Sequence, residues 1–117
     1  MRTMAFLFPA PPHRRERIRR IAARIARRFS PERIVLFGSE ARGTAGPHSD
    51  ADFLVVMPFS GSRRERELSI RCAVHDIRIP KDIVVVTPSE MRRQRGIRGS
   101  IVREAWREGR TLYARGV

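Results

Sequence analysis

The sequence predicts an α+β domain, a mixed β-sheet with helices packed on it. Three observations carry that expectation. Three apolar runs, 33–37, 52–56 and 83–86, are short and rich in β-branched residues, as strands are. Amphipathic helical patterns precede the first run and separate the second from the third. The third observation concerns polar ends: the first run leaves into Gly38-Ser39, whereas Asp50, Asp52 and Asp82 stand at the starts of the second and third. For these ends to meet, strand one must run antiparallel to strand two, and strands two and three must run parallel. A parallel pair needs a long crossover, and the helical segment between them supplies one.

In chain order, residues 1–12 read as a flexible arm, because Pro9, Pro11 and Pro12 forbid a regular element. Residues 13–117 form the single domain. Its first helix runs from about Arg14 to Phe29, with Ile18, Ile21, Ala22, Ile25, Ala26 and Phe29 on one face. Arg14, Arg17, Arg20, Arg24, Arg27 and Arg28 fill the remainder as a solvated face. Ser30-Pro31 ends that helix before strand one, Arg33 to Phe37. Strand two, Asp52 to Val56, is apolar on both faces and therefore expected to be covered on both. A second helix from Arg64 to about His75 should turn Leu68, Cys72 and Ala73 or Val74 inward. Strand three, Ile83 to Val86, is again apolar. Thr87-Pro88-Ser89-Glu90 has the composition of a helix start, with Thr at the cap, Pro at the first position and Glu at the third. That short helix gives way near Gly96. A last helix, Ile97 to Arg107, carries Ile97, Ile101, Val102, Ala105 and Trp106 on one side until Gly109 stops it. Thr111-Leu112-Tyr113 suits an edge strand.

Composition bounds the function classes. At 117 residues with 41% apolar content, the chain supports one domain with a modest core. Its 25 Lys and Arg against 12 Asp and Glu leave a formal charge of +13, a field that attracts polyanions and triphosphates. The arginines are spread along the chain, which also suits plain solvated faces. The lone cysteine, Cys72, excludes an internal disulfide and reads as a small core residue. No apolar run approaches the roughly 20 residues that cross a bilayer. A cytoplasmic protein is expected.

The chemistry concentrates between residues 35 and 56. On a strand, Asp50 and Asp52 project to the same side. Two parallel carboxylates at the mouth of a buried strand are costly unless a cation lies between them. Magnesium suits them, as a hard ion that takes oxygen ligands beside a substrate phosphate. Gly38 lets the backbone turn tightly, and Ser39 is placed to cap a short helix, Glu40-Ala41-Arg42, whose N-terminus favours phosphate. Together these read as a site for a nucleoside triphosphate and its metal. Each residue also has a purely structural reading: Asp50 as a turn cap after Ser49, Asp52 as a strand-edge charge, Asp82 as a turn residue beside Lys81. Combination with Gly38-Ser39 favours the metal reading. His48, near this loop, reads as a solvated turn residue.

Gly38-Ser39, Ala41-Arg42-Gly43 and Ser49-Asp50-Ala51-Asp52 resemble the signature of the minimal nucleotidyltransferases. These belong to the DNA polymerase β-like superfamily, which also contains the aminoglycoside nucleotidyltransferases. Asp82, in Lys81-Asp82-Ile83-Val84-Val85-Val86, matches the third carboxylate of that family, and the resemblance spans about Ser30 to Tyr113. It implies a polymerase β-like nucleotidyltransferase fold and transfer of a nucleoside monophosphate from a triphosphate, ATP, to an acceptor hydroxyl. Asp50, Asp52 and Asp82 would hold Mg2+ and serve catalysis, with Asp82 also suited to take the acceptor proton. Gly38, Ser39 and Arg42 would bind the nucleotide's phosphates. Family members of this size often act as the antitoxin of a pair with a HEPN-type toxin, modifying it on a hydroxyl, typically tyrosine. The same resemblance leaves a second function open, a non-catalytic antitoxin or binding module that neutralises its partner by contact. A third, an arginine-rich nucleic-acid binder, is disfavoured by the lack of aromatic residues among the arginines. Oligomeric state is left open.

Overall fold

The computed structural model describes residues 12–46 and 48–116. The expected arm, apart from Pro12, lies outside the described residues. Helix α1 begins at Pro12 and runs to Phe29, followed by strand β1 (Arg33–Phe37), the short helix α2 (Ser39–Arg42) and strand β2 (Ala51–Val56). Helix α3 (Arg63–Ala73) then leads to strand β3 (Lys81–Val86), helices α4 (Pro88–Gln94) and α5 (Ile101–Glu108), and strand β4 (Arg110–Ala114).

The four strands lie in the order β3-β2-β1-β4. Strand β1 is antiparallel to β2 and to β4, and β2 is parallel to β3, with α3 as the crossover. This is the mixed sheet that the polar strand ends demanded. Alternate residues of each strand serve two cores. Ile34, Leu36, Phe53, Val55, Ile83 and Val85 pack under α1 and α3, against Ile18, Ile21, Ile25 and Ile70. Val35, Phe37, Leu54, Val56 and Val86 face the other way, against Met91 of α4 and Val102 and Ala105 of α5. Strand β2 is therefore buried on both faces, as its unbroken apolar run required.

The Thr87 start of α4 forms a full capping box: the Thr87 side chain accepts from the Glu90 amide while the Glu90 carboxylate accepts from the Thr87 amide. Several expectations need correction. On α3, Val74 just past the helix end is buried, as one of the two expected alternatives, but Ile70 is the inward residue of the helix itself, and Leu68 and Cys72 are exposed. Apolar residues were too few on this helix to fix its phase: Leu68 and Cys72, four residues apart, share the exposed face, and Ile70 between them lies on the buried one. Cys72 is thus a surface thiol rather than a core residue. The last helix starts at Ile101, not Ile97, because Gly99 takes φ +88° and Ser100 caps the new helix, accepting from the Arg103 amide. Only Val102 and Ala105 of the expected stripe are buried, while Ile97, Ile101 and Trp106 are about half exposed.

Candidate functional site

At one end of the sheet, β1 finishes where β2 and β3 begin. Phe37 pairs with Asp52 across the antiparallel ladder, and Asp52 pairs with Asp82 across the parallel one. The last residue before the Gly38 turn and two of the three carboxylates therefore stand in one row. Asp52 and Asp82 point to the same face as Leu54, Val56 and Val86, the face covered by α4 and α5. Asp50 precedes β2 by one residue. Its loop is tied down by the Ser49 amide donating to Gly46 O, the Gly46 amide donating to Ser49 Oγ, and the Ala51 amide donating to Pro80 O.

Gly38 takes φ +74° and ψ −153°, a conformation that side chains rarely tolerate. A Cβ placed there would lie 2.5 Å from Asp52 Oδ2. The turn thus presses bare backbone against the carboxylate, and this site requires glycine on both counts. Gly38, not Ser39, occupies the cap position of α2, and no side chain caps the helix; Ser39 is its first helical residue. That corrects the capping role expected of Ser39. The same shift leaves the Ser39 hydroxyl uncommitted to the helix start.

Electrostatics single out Asp52. Burial, then the charges of Asp82, Asp50 and Glu104, push its pKa from 3.8 to about 6, against an opposing pull from Arg42. Glu104 of α5 had no signal in the sequence. It reaches the site because the buried stripe of α5 turns it toward α2, where Arg42 Nη1 lies 3.3 Å from both Glu104 Oε2 and Glu108 Oε1. Asp82 Oδ1 accepts from Arg71 Nη2 of α3 at 3.1 Å. Among the described residues, no three His, Cys, Asp or Glu side chains stand close enough to form a ready-made metal cage. The three aspartates share one end of the sheet, but the Asp82 carboxyl is engaged by an arginine. His48 is exposed.

A second structural feature was absent from the sequence reading. Arg14, expected on the solvated face of α1, is buried and forms an ion pair of 2.8 Å with Glu40, the most deeply buried acid among the described residues. Its other arm donates to the Ser49 carbonyl at 2.5 Å. One guanidinium therefore joins α1, α2 and the loop before Asp50, locking the helix that follows the Gly38 turn to the loop that leads to the carboxylates. An arginine one turn from the start of an Arg-rich helix gives no sequence signal of this. Glu40, a charge wedged between Ser39 and Ala41 at the end of an apolar run, was the one hint.

The family model of the nucleotidyltransferase domain matches residues 18–105, most of the chain and all of the aspartate site just described. Among solved structures, the fold is similar to that of a Sulfolobus solfataricus protein assigned as a nucleotidyltransferase, with TM-score 0.54 and 24% identity over 86% of this chain and 79% of that one. It is also similar to a toxin–antitoxin structure solved with AMP-PNP, with TM-score 0.50 and 22% identity over 82% of this chain and 73% of that one. A comparison with curated proteins gave no match. No helix of the described residues is long and apolar enough to cross a membrane. With a family match of this extent, the chain belongs to the nucleotidyltransferase domain family.

Proposed function

We propose that this chain is a metal-dependent nucleotidyltransferase that moves AMP from ATP to an acceptor hydroxyl, a tyrosine of a HEPN-type partner protein being the acceptor implied by the resemblance. The observation that carries the reading is the row of Phe37, Asp52 and Asp82, with the Gly38 backbone pressed onto the Asp52 carboxylate. AMP-PNP, an ATP analogue, in a structure of similar fold supports the choice of ATP, and the toxin–antitoxin assignment of that structure supports a protein partner. The donor set fits a hard divalent cation such as Mg2+: all three groups are carboxylates, and their mutual repulsion at Asp52 is what a cation relieves. Asp50, Asp52 and Asp82 would hold it, and it would supply neutralising charge to the triphosphate during an in-line displacement.

The chain's own residues do the rest. Ser39 Oγ and the Gly38 backbone would bind the outer phosphates at the start of α2. Arg42, released from Glu104 and Glu108, would balance charge on the departing pyrophosphate. An acceptor oxygen forms its bond to the α-phosphorus as the bond to the bridging oxygen breaks. Asp82, freed from Arg71, would take the acceptor's proton.

A second reading, a fold-alike that neutralises its partner by contact alone, draws support from those same ion pairs, which occupy Arg42 and Asp82. Incubation with labelled ATP, magnesium and the protein encoded next to this one separates the two. The enzyme labels that partner and Asp52→Ala does not. Equal neutralisation by both proteins without label is the result that establishes the contact reading and ends the catalytic one.

A further inference from the structure

At the opposite end of the sheet the chemistry inverts. Strand β1 begins at Arg33, which pairs with Val56 at the finish of β2 and Ala114 at the finish of β4, roughly 13 Å of strand from Phe37 and the aspartates. There a cleft of about 380 Å³ opens between the sheet and helices α4 and α5, and Arg33, Met91 and Trp106 also line a neighbouring hollow of about 200 Å³. Its floor is apolar, with Val56, Met91 and Ala114. Its rim carries Arg33, Arg92, Arg95 and Arg115, against a single acid, Glu32. Among the described residues, none of these four guanidinium groups has a carboxylate partner, whereas Arg14, Arg24, Arg42, Arg63 and Arg71 all do.

We propose that this cleft is a docking site for an acidic, amphipathic protein segment, which would set apolar side chains on the floor and carboxylates on the arginine rim. Charge complementarity identifies the occupant, and two features separate it from the other polyanion that an arginine cleft invites, a nucleic acid. Trp106, the sole tryptophan of the chain, is 48% exposed at the edge of the cleft, but Arg95 lies over its ring at 4.8 Å from the centroid. The guanidinium thereby occupies a ring face on which a base would stack. Moreover, the floor offers aliphatic side chains and a thioether, which suit inserted Leu or Met side chains. The site lies on the same face of the sheet as the aspartates but at the far end, so its occupant can stay bound while the aspartate end is free or engaged. It holds whether or not the protein transfers a nucleotide.

Trp106 supplies the readout. A tryptophan-free amphipathic peptide with Glu on one face and Leu on the other, titrated into the full chain, should shift the Trp106 emission to the blue as water leaves the ring. Arg92→Glu/Arg95→Glu should weaken that binding by about tenfold or more. Both residues are exposed, and an unchanged circular-dichroism melt verifies the fold of the variant. Polyglutamate, which carries charge without apolar groups, should bind distinctly more weakly than the peptide. Tighter binding of oligo(dT) than of the peptide would overturn the proposal in favour of a nucleic-acid surface. Equal binding of polyglutamate and peptide, or no response of Trp106 to either, would overturn it as well. Because neither arginine belongs to the aspartate end, ATP binding by the double variant should equal that of the parent, so failure here is distinguishable from failure of the catalytic reading.

Discussion

The two ends of the sheet are built by opposite means. At the aspartate end, charge is packed inward: a buried Arg14–Glu40 pair braces the turn and loop, and bare glycine backbone meets a half-buried carboxylate. At the arginine end, charge stands on the rim of a cleft with an apolar floor. The first end holds like charges together at Asp52, where burial and the neighbouring acids raise its pKa, a strain that the proposed cation would relieve. The second holds its charges without that strain, as a surface does. On the two proposals above, chemistry and recognition would be separated by the length of a strand.

The comparison is broken most forcefully at Glu40. Removing one member of a buried ion pair leaves the other charged and without its counter-charge, so Glu40→Ala should lower stability by about 3–5 kcal/mol. Chemical denaturation measures this, and a loss below about 1 kcal/mol would show that the brace is not structural. Gly38→Ala comes next, at about 1–3 kcal/mol for the positive φ alone. Its Cβ must also displace the Asp52 carboxylate, so nucleotide binding should fall further than stability does. If Gly38→Ala binds ATP like the parent, the close approach plays no part in nucleotide binding.

The smallest effect is a matter of pH. Asp52 titrates at about 6 in the folded protein and near 3.8 when unfolded. Between these values the native state keeps a proton that the unfolded chain has lost, so in the absence of divalent metal stability declines as pH rises through this window. Asp52→Asn deletes that component. Its thermal midpoint should exceed that of the parent at pH 7 and approach it near pH 4. A variant less stable than the parent at pH 7 would mean that the aspartate is not strained.

Much of this was legible in the chain. The strand directions followed from where the polar residues sit at the ends of apolar runs; the register that sets Asp52 beside Asp82 came only with the fold. The α4 start was visible because capping is a local code, Thr87 to Glu90. What was hidden depends on helix phase and on long-range pairing. Helix α3 has too few apolar residues to announce its face: Val74 was rightly among those expected inward, but Leu68 and Cys72 were assigned there although Ile70 holds the buried place. Arg14 is chemically identical to the solvated arginines around it, and only the folded chain distinguishes it by bringing Glu40 alongside. Glu104 and Glu108 likewise reach Arg42 over more than sixty residues of sequence.

The central claim is that the crowded aspartates await a divalent cation. Mn2+ titration followed by electron paramagnetic resonance, with and without ATP, addresses it directly. The account predicts that the wild-type protein withdraws the free Mn2+ signal, more tightly with ATP present, and that Asp52→Ala weakens this uptake by about 10–100-fold or more. Equal Mn2+ uptake by the two proteins would contradict it.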